Sequence, residues 1–222
     1  IRKEKGKYIS IFLFLTFMIS IVSGMLVTSL SMMHTYDDGI ETYKLEDGHF
    51  STNSEISVAD LQKIADQEDS GTAKATIYKQ YFYNFDYTFE GNSNYSIRLY
   101  ENRETLNTYS VFEGHAPEKD GELAIDRLFA ENNNLKIGDT LTFDGKDLTI
   151  CGTVAVPDYS CLFENNSDSM FSATTFTTGF VTADYFKEFS ESKLTYSFAY
   201  RFSDRSLDDR ASYDASTDLM NT

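Results

Sequence analysis

The sequence predicts an N-terminal transmembrane helix followed by an extracytoplasmic α+β domain with an inserted small β-rich subdomain. Three observations predict it. Tyr8 to Met33 runs for 26 residues without Asp, Glu, Lys, Arg or His. Tyr81, Tyr83, Phe85, Tyr87 and Phe89 alternate with Phe82, Asn84, Asp86 and Thr88, and Tyr196, Phe198, Tyr200 and Phe202 repeat that alternation. Period two marks a strand with one apolar face. Val58, Leu61, Ile64 and Ala65 recur instead at helical spacing. Helices and strands thus mix without a regular β-α-β repeat, which is the pattern of an α+β layer.

The uncharged run sets the topology. As a helix it reaches about 39 Å, against a hydrocarbon core of about 30 Å, so it spans with some tilt. Arg2, Lys3, Lys5 and Lys7 against Glu4 give the tail before it a charge of +3, and Asp37, Asp38 and Glu41 follow it. Basic residues beside a span stay cytoplasmic, which places residues after about 34 outside the plasma membrane. A cleaved signal peptide is the competing reading. The run is long for one, and no Ala-x-Ala-type site closes it, so a retained anchor is expected.

The expected division is therefore a cytoplasmic tail (1–7), the span (8–33), a first part of the exterior domain (34–110), the β-rich subdomain (111–158) and a second part (159–222). The chain's formal charge is −16 and the tail's is +3, which leaves −19 on the exterior. Phosphates would be repelled, so nucleic acid is not an expected partner. The same charge opposes lying flat on anionic lipid, and it attracts cationic ligands such as a cationic peptide. With 15 Tyr, 18 Phe and only 2 Pro, the chain suits half-buried sheets rather than a disordered stalk.

After the span, Ser31 to Tyr43 can continue the helix a turn or two. A second helix is expected over Ile56 to Gln67, with Ser57 as cap, Asp60 at the capping-box position and Ile56 and Leu61 as a staple. Strands follow over Ala75 to Tyr78, Tyr81 to Phe89 and Tyr95 to Tyr100, with a turn over Glu90 to Asn94. The aromatic row is expected in the core rather than on a binding surface. Glu101 to Tyr109 reads as a connection or a short helix. Gly114-His115-Ala116-Pro117 reads as a turn and Glu122 to Ile125 as a strand. Asp126 can cap a short helix over Arg127 to Asn133 that Asn134 ends. Strands Thr140 to Phe143 and Asp147 to Val156 flank Asp144-Gly145, a type I′ hairpin signal. Leu148, Ile150, Gly152 and Val154 are expected on one face, and Pro157 ends the strand. Ser160 to Thr178 is a weakly patterned stretch, either a functional loop or the host of a short strand. A strand at Phe180 to Thr182, a helix from Ala183 to about Ser190 capped by Thr182, a strand at Thr195 to Phe202 and the start of a further helix after Asp204 complete the list.

Taken together, several runs resemble a known family: Gly114-His115-Ala116-Pro117, Gly121-Glu122-Leu123-Ala124-Ile125-Asp126, the helix through Phe129-Ala130, Leu135-Lys136-Ile137-Gly138-Asp139-Thr140-Leu141 and Leu148-Thr149-Ile150-Cys151-Gly152-Thr153-Val154. Their order resembles the strand, short helix, Gly-Asp, hairpin, strand unit of FtsX-like and MacB-like permease subunits of ABC transporters. It covers about 45 of the 222 residues, and the leading span extends the likeness in topology. The resemblance implies a permease subunit that pairs with a second permease subunit and a separate cytoplasmic ABC ATPase. That ATPase would bind the ATP, and further spans would follow residue 222. Both chain ends read as cut from something longer. It also implies mechanical coupling of ATP hydrolysis to the exterior domain rather than catalysis in this chain.

Residues with chemical potential are few. Gly-x-x-x-x-Gly-Lys-Ser/Thr, Gly-x-Ser-x-Gly and His-Glu-x-x-His are all missing from the sequence, so no catalytic, cofactor or metal residues are assigned. His34 is expected at the membrane exit and His115 in an exposed turn; His49 is the third, scattered histidine. Glu164, Asn165, Asn166, Asp168 and Ser169 offer oxygens without the calcium-loop pattern. Ser23, Gly24 and Ser29 can let helices approach closely, or be merely tolerated small residues. Cys151 and Cys161 lie where a disulfide is permitted, but their spacing does not fix the Cα distance; unpaired, they are a strand residue and a loop thiol. The alternative function is the exterior sensor of a membrane-anchored signalling receptor, which would carry one span and then a signalling helix. An anchored surface enzyme is weaker, since no nucleophile or paired-acid motif stands out.

Overall fold

The computed structural model describes residues 5–66, 74–89, 92–159, 163–164, 170 and 172–221. The chain divides into two units after Thr42. The first is a single helix, α1 (Lys5–Thr42), of 38 residues with none buried. It is long and apolar enough to cross a membrane by length and composition. Two of its hydroxyls bond within the helix: Thr28 Oγ1 donates to Gly24 O at 2.8 Å and Thr35 Oγ1 to Ser31 O at 2.9 Å. The helix continues to Thr42, the extension expected of Ser31 to Tyr43.

The second unit, Tyr43–Thr222, is built on one mixed sheet. Its elements are β1 (Gly48–Thr52), α2 (Val58–Asp66), β2 (Ala75–Lys79), β3 (Phe82–Phe89), β4 (Asn92–Glu101), β5 (Ser110–Gly114), β6 (Glu122–Asp126), α3 (Arg127–Asn132), β7 (Thr140–Phe143), β8 (Lys146–Ala155), β9 (Phe176–Val181), α4 (Ala183–Phe186), β10 (Leu194–Phe202) and α5 (Asp209–Asn221). The strand order is β1-β10-β3-β4-β9-β6-β8-β5, with β2 on β10 and β7 on β8. Strands β4 and β9 run parallel, as do β6 and β8; the other pairs are antiparallel. Strands β5 to β8, over 110–155, pair among themselves, and β6 joins them to the rest through Ala124↔Phe180 and Ile125↔Gly179 on β9.

The aromatic alternation does what period two requires. Tyr81, Tyr83 and Phe85 are buried on one face, and Asn84 and Asp86 are exposed on the other. That buried face forms the larger core with Ile97, Leu99, Leu123, Ile125, Phe143, Leu148, Ile150 and Phe198. Leu61 and Ala65 of α2, Phe186 of α4 and Ala215 and Leu219 of α5 pack onto it. A smaller cluster, Tyr100, Ala124, Cys151, Val154, Val156 and Phe180, lies on the opposite face, with Phe82, Tyr109 and Tyr159 against it. Central strands are therefore covered on both sides, which is why Thr177, Thr178 and Ser197 are buried despite their polarity.

The local signals of the β-rich stretch act as expected. Asp126 Oδ1 accepts from Leu128 N (2.8 Å) and Phe129 N (3.2 Å), capping α3. Asn134 ends it at φ 54°. Asp144 and Gly145 take φ of 51° and 74° in a two-residue loop closed by Phe143↔Lys146, as a type I′ turn requires. Gly138 has φ 97°, and Asp139 Oδ2 accepts from Lys136 N at 2.8 Å.

Several expectations need correction. Leu148 and Ile150 face the larger core but Val154 faces the smaller one. The β6–β8 register shifts between Leu123↔Ile150 and Ala124↔Gly152, so Cys151 is an extra residue. Such a bulge moves every later side chain to the other face. Strands β1 and β5 were not expected: β1 sets one large apolar residue, Phe50, among polar ones, and β5 is an exposed edge carrying Val111 and Phe112. Strand β9 begins at Phe176, so the end of the Ser160 to Thr178 stretch is strand. The helix expected to reach Ser190 stops at Phe186, although Thr182 Oγ1 caps it as foreseen by accepting from Tyr185 N at 3.3 Å. Ser57 caps α2 through Ala59 N, but Asp60 pairs with Lys63 at 2.7 Å. Strand β4 begins at Asn92, which shortens the turn expected over Glu90 to Asn94; residues 90 and 91 lie outside the described residues. Glu101 to Tyr109, read as a connection or a short helix, is the connection.

Candidate functional site

The face of the sheet opposite the helices carries a cleft of about 530 Å³. It arises from the pleat. With Tyr81, Tyr83, Ile97 and Leu99 turned into the larger core, Phe82 on β3 and Arg98 and Tyr100 on β4 must face the other way. His49 and Ser51 on β1 and Ser197 on β10 extend that surface, and Asp158, Tyr159 and Glu164 wall it.

Arg98 is its best-held cation. Its Nε donates to Asn84 Oδ1 (3.0 Å), Nη1 to Tyr159 OH (2.9 Å) and Nη2 to Glu164 O (2.8 Å). Its Cζ lies 4.6 Å from the Phe82 ring centroid. Arg103 lies deeper. Its Nη1 reaches Asp158 Oδ2 at 2.6 Å, and its Cζ sits 4.0 Å over the Tyr100 ring. Planar guanidinium suits both contacts, since it stacks and forks at once. Tyr100 and Tyr159 join their hydroxyls at 2.8 Å, and burial, with the Tyr159 phenol adding, holds Tyr100 well above the usual tyrosine range. Tyr100 is therefore a neutral phenol.

At the rim, His49 Nδ1 and Glu46 Oε1 are 2.6 Å apart. This bond raises the histidine above its ordinary value, against the opposing pull of burial. Glu46 is in turn fixed by Asn107, whose Nδ2 donates to Glu46 Oε2 and whose Oδ1 accepts from Glu46 N at 2.9 Å. Ser197 Oγ donates to Phe50 O at 3.4 Å. The imidazole and this hydroxyl are thus engaged in structural bonds rather than with each other. The chemistry on offer is recognition: an aromatic floor, guanidinium edges and a carboxylate rim.

Neither a family model nor a curated protein matches the sequence. Solved structures similar to the chain include two transporter domains. One is the extracellular domain of the noncanonic ABC-type transporter YknZ from Gram-positive bacteria, 8% identical over 78% of this chain and 91% of that one, with a TM-score of 0.41. The other is the periplasmic region of MacB from Actinobacillus actinomycetemcomitans, 10% identical over 78% of this chain and 81% of that one, also with a TM-score of 0.41.

The residues singled out from sequence fall in different places. His34 pairs with Asp38 at 2.8 Å along α1. His49 and Glu164 line the cleft. Asn165, Asn166, Asp168 and Ser169, the remaining oxygens of the calcium reading, lie outside the described residues, as does Cys161. Cys151 is a buried free thiol. His115 is exposed, as expected of its turn, yet its ligand atom lies within 4.8 Å of those of Glu122 and Cys151. Sequence reasoning missed Arg98, Arg103, Asp158 and Tyr159. Arg98 could have been found as the charge on the polar face of an alternating strand; the other three sit in connections without a motif.

Proposed function

We propose that this chain belongs to a permease subunit of an ABC transporter of the FtsX/MacB type. In this reading α1 crosses the plasma membrane with its basic end in the cytoplasm. A partner ATPase hydrolyses ATP there, and the resulting movement of the span is passed to the sheet domain outside. A second permease subunit completes the assembly. The work of this chain is mechanical transmission, for export or for control of an exterior partner, rather than bond chemistry.

The observation that supports this reading is the unit from Gly114 to Val154. The sequence likeness rested on a strand, a short helix, a Gly-Asp turn, a hairpin and a strand in that order. Each marker residue does the physical job the likeness assigns it: Asp126 caps, Gly138 takes the positive φ, Asp139 ties the loop, and Asp144-Gly145 turns the hairpin. A helix long and apolar enough to span precedes it.

The test is affinity purification of the full gene product from detergent-solubilised membranes. An ATPase bearing Gly-x-x-x-x-Gly-Lys-Ser/Thr should be recovered with it in fixed ratio. Recovery of a cytoplasmic signalling helix on the same polypeptide, with no ATPase, would replace this reading by the sensor receptor.

A further inference from the structure

We infer that His115, Glu122 and Cys151 form a binding site for a borderline divalent cation of the zinc class. Three separate segments bring the ligands together: the end of β5, the start of β6 and the bulge of β8. Their ligand atoms all lie within 4.8 Å of one another, with His115 Nδ1 4.0 Å from Glu122 Oε2.

The backbone is cinched around this point. His115 N donates to Cys151 O at 3.1 Å, and Cys151 Sγ lies 3.4 Å from His115 O. The approach is close enough to demand glycine on both strands. A Cβ on Gly152 would meet His115 O at 2.4 Å, and one on Gly114, at φ 78°, would meet Cys151 O at 2.2 Å. The bulge at Cys151 turns the thiol towards His115, and bulges commonly re-aim a side chain in this way. Glu122 is oriented in advance: its Oε2 accepts from Glu118 N (2.8 Å) and Lys119 N (3.1 Å).

Imidazole, carboxylate and thiolate together select a borderline ion over calcium or magnesium. A tetrahedral ion with bonds of about 2.0–2.3 Å keeps its ligand atoms roughly 3.3–3.8 Å apart, so closure asks for about an ångström of side-chain rotation. The exposed His115 ring supplies it by turning away from Ala116 O, which lies 2.8 Å from its Nδ1. Burial pushes the Cys151 thiol up to about 11. Cys151 thus starts as a thiol, and an arriving cation takes the sulfur lone pair as the proton leaves to water. Three protein ligands leave one position open to water.

The experiment uses the full chain in detergent micelles. Cobalt(II) should add one equivalent, giving visible bands of tetrahedral intensity and a thiolate-to-cobalt charge-transfer band, both displaced by zinc(II). The charge-transfer band should survive Cys161→Ser and vanish in Cys151→Ser. Zinc affinity by calorimetry should fall at least tenfold in His115→Ala, whose exposed side chain leaves folding intact. No charge-transfer band in the wild-type chain, a band that follows Cys161 instead, or unchanged zinc affinity in His115→Ala would each overturn the assignment.

Discussion

Arg103 and Asp158 form a buried ion pair beneath the cleft, 2.6 Å apart with side chains 4% and 11% exposed. Burial at both partners removes solvent screening, so the pair's attraction matters, but so does the cost of leaving one charge alone. Asp158→Ala should therefore destabilise the domain by about 3–5 kcal/mol. The double change Arg103→Met with Asp158→Leu should cost far less, because no charge is stranded. Chemical denaturation followed by circular dichroism measures both. A single variant within about 1 kcal/mol of the parent would show that water reaches this pair.

His49 gives a pH dependence with a definite sign. Its bond to Glu46 favours the imidazolium; burial and Arg98 oppose, and the Glu46 and Asp158 charges assist. The folded value is thus above the ordinary 6.5. Such a group contributes stability fully below the unfolded value and loses it as pH rises through the raised folded value. The ring is 48% exposed, so the contribution is about 1 kcal/mol or less. His49→Gln should flatten the melting-temperature profile between about pH 5 and pH 8. A profile that keeps its parent shape would remove His49 from the account.

Legibility followed sequence distance. The β3 and β10 strands, the α3 cap and the Asp144-Gly145 turn are specified within a few residues, and each was readable. The bulge at Cys151 was not. It depends on how β8 meets β5 and β6, and a strand's own period cannot announce an inserted residue. Strand β1 was hidden because its case rests on pairing with β10, some 147 residues away. The cleft was hidden for the same reason. Arg103 meets Asp158 across 55 residues and Arg98 meets Tyr159 across 61, so no spacing in the chain marks them as a set. Even the long apolar helix, the plainest signal, says nothing of the cleft.

Two glycines in one region should respond differently to the same change. A methyl on Gly152 would press on backbone, with His115 O at 2.4 Å and Glu113 O at 2.9 Å. Gly138, at φ 97°, has nothing within 4 Å of the added atom. Gly138→Ala thus meets only backbone strain, about 1–2 kcal/mol. Gly152→Ala meets no such strain, since its φ is not positive, but it must part β5 from β8 and should cost about 3 kcal/mol or more. Equal losses in the two variants would mean that the β5 edge yields freely.

The acidic surface should select its ligands by charge and lose that selectivity in salt. The chain after residue 33 carries −19, and Glu46, Asp158 and Glu164 line the cleft. Within the cleft Arg103 offsets Asp158 and Arg98 offsets one further carboxylate, so the bias comes mainly from the acidic surface as a whole. A Lys-rich peptide should therefore bind more tightly than a neutral peptide of the same length and apolar content. Raising salt from about 0.1 M to about 1 M shortens the screening length from roughly 10 to 3 Å. Over that range the cationic peptide should lose most of its advantage while the neutral one changes little. Replacing Glu46 and Glu164 together by Gln should weaken the cationic peptide alone if it sits in the cleft. Calorimetric titration at both salt levels reads all three effects. Equal binding of the two peptides at low salt would end the proposal that charge attracts the ligand, whereas salt-sensitive binding indifferent to Glu46 and Glu164 would move the contact elsewhere on the acidic surface.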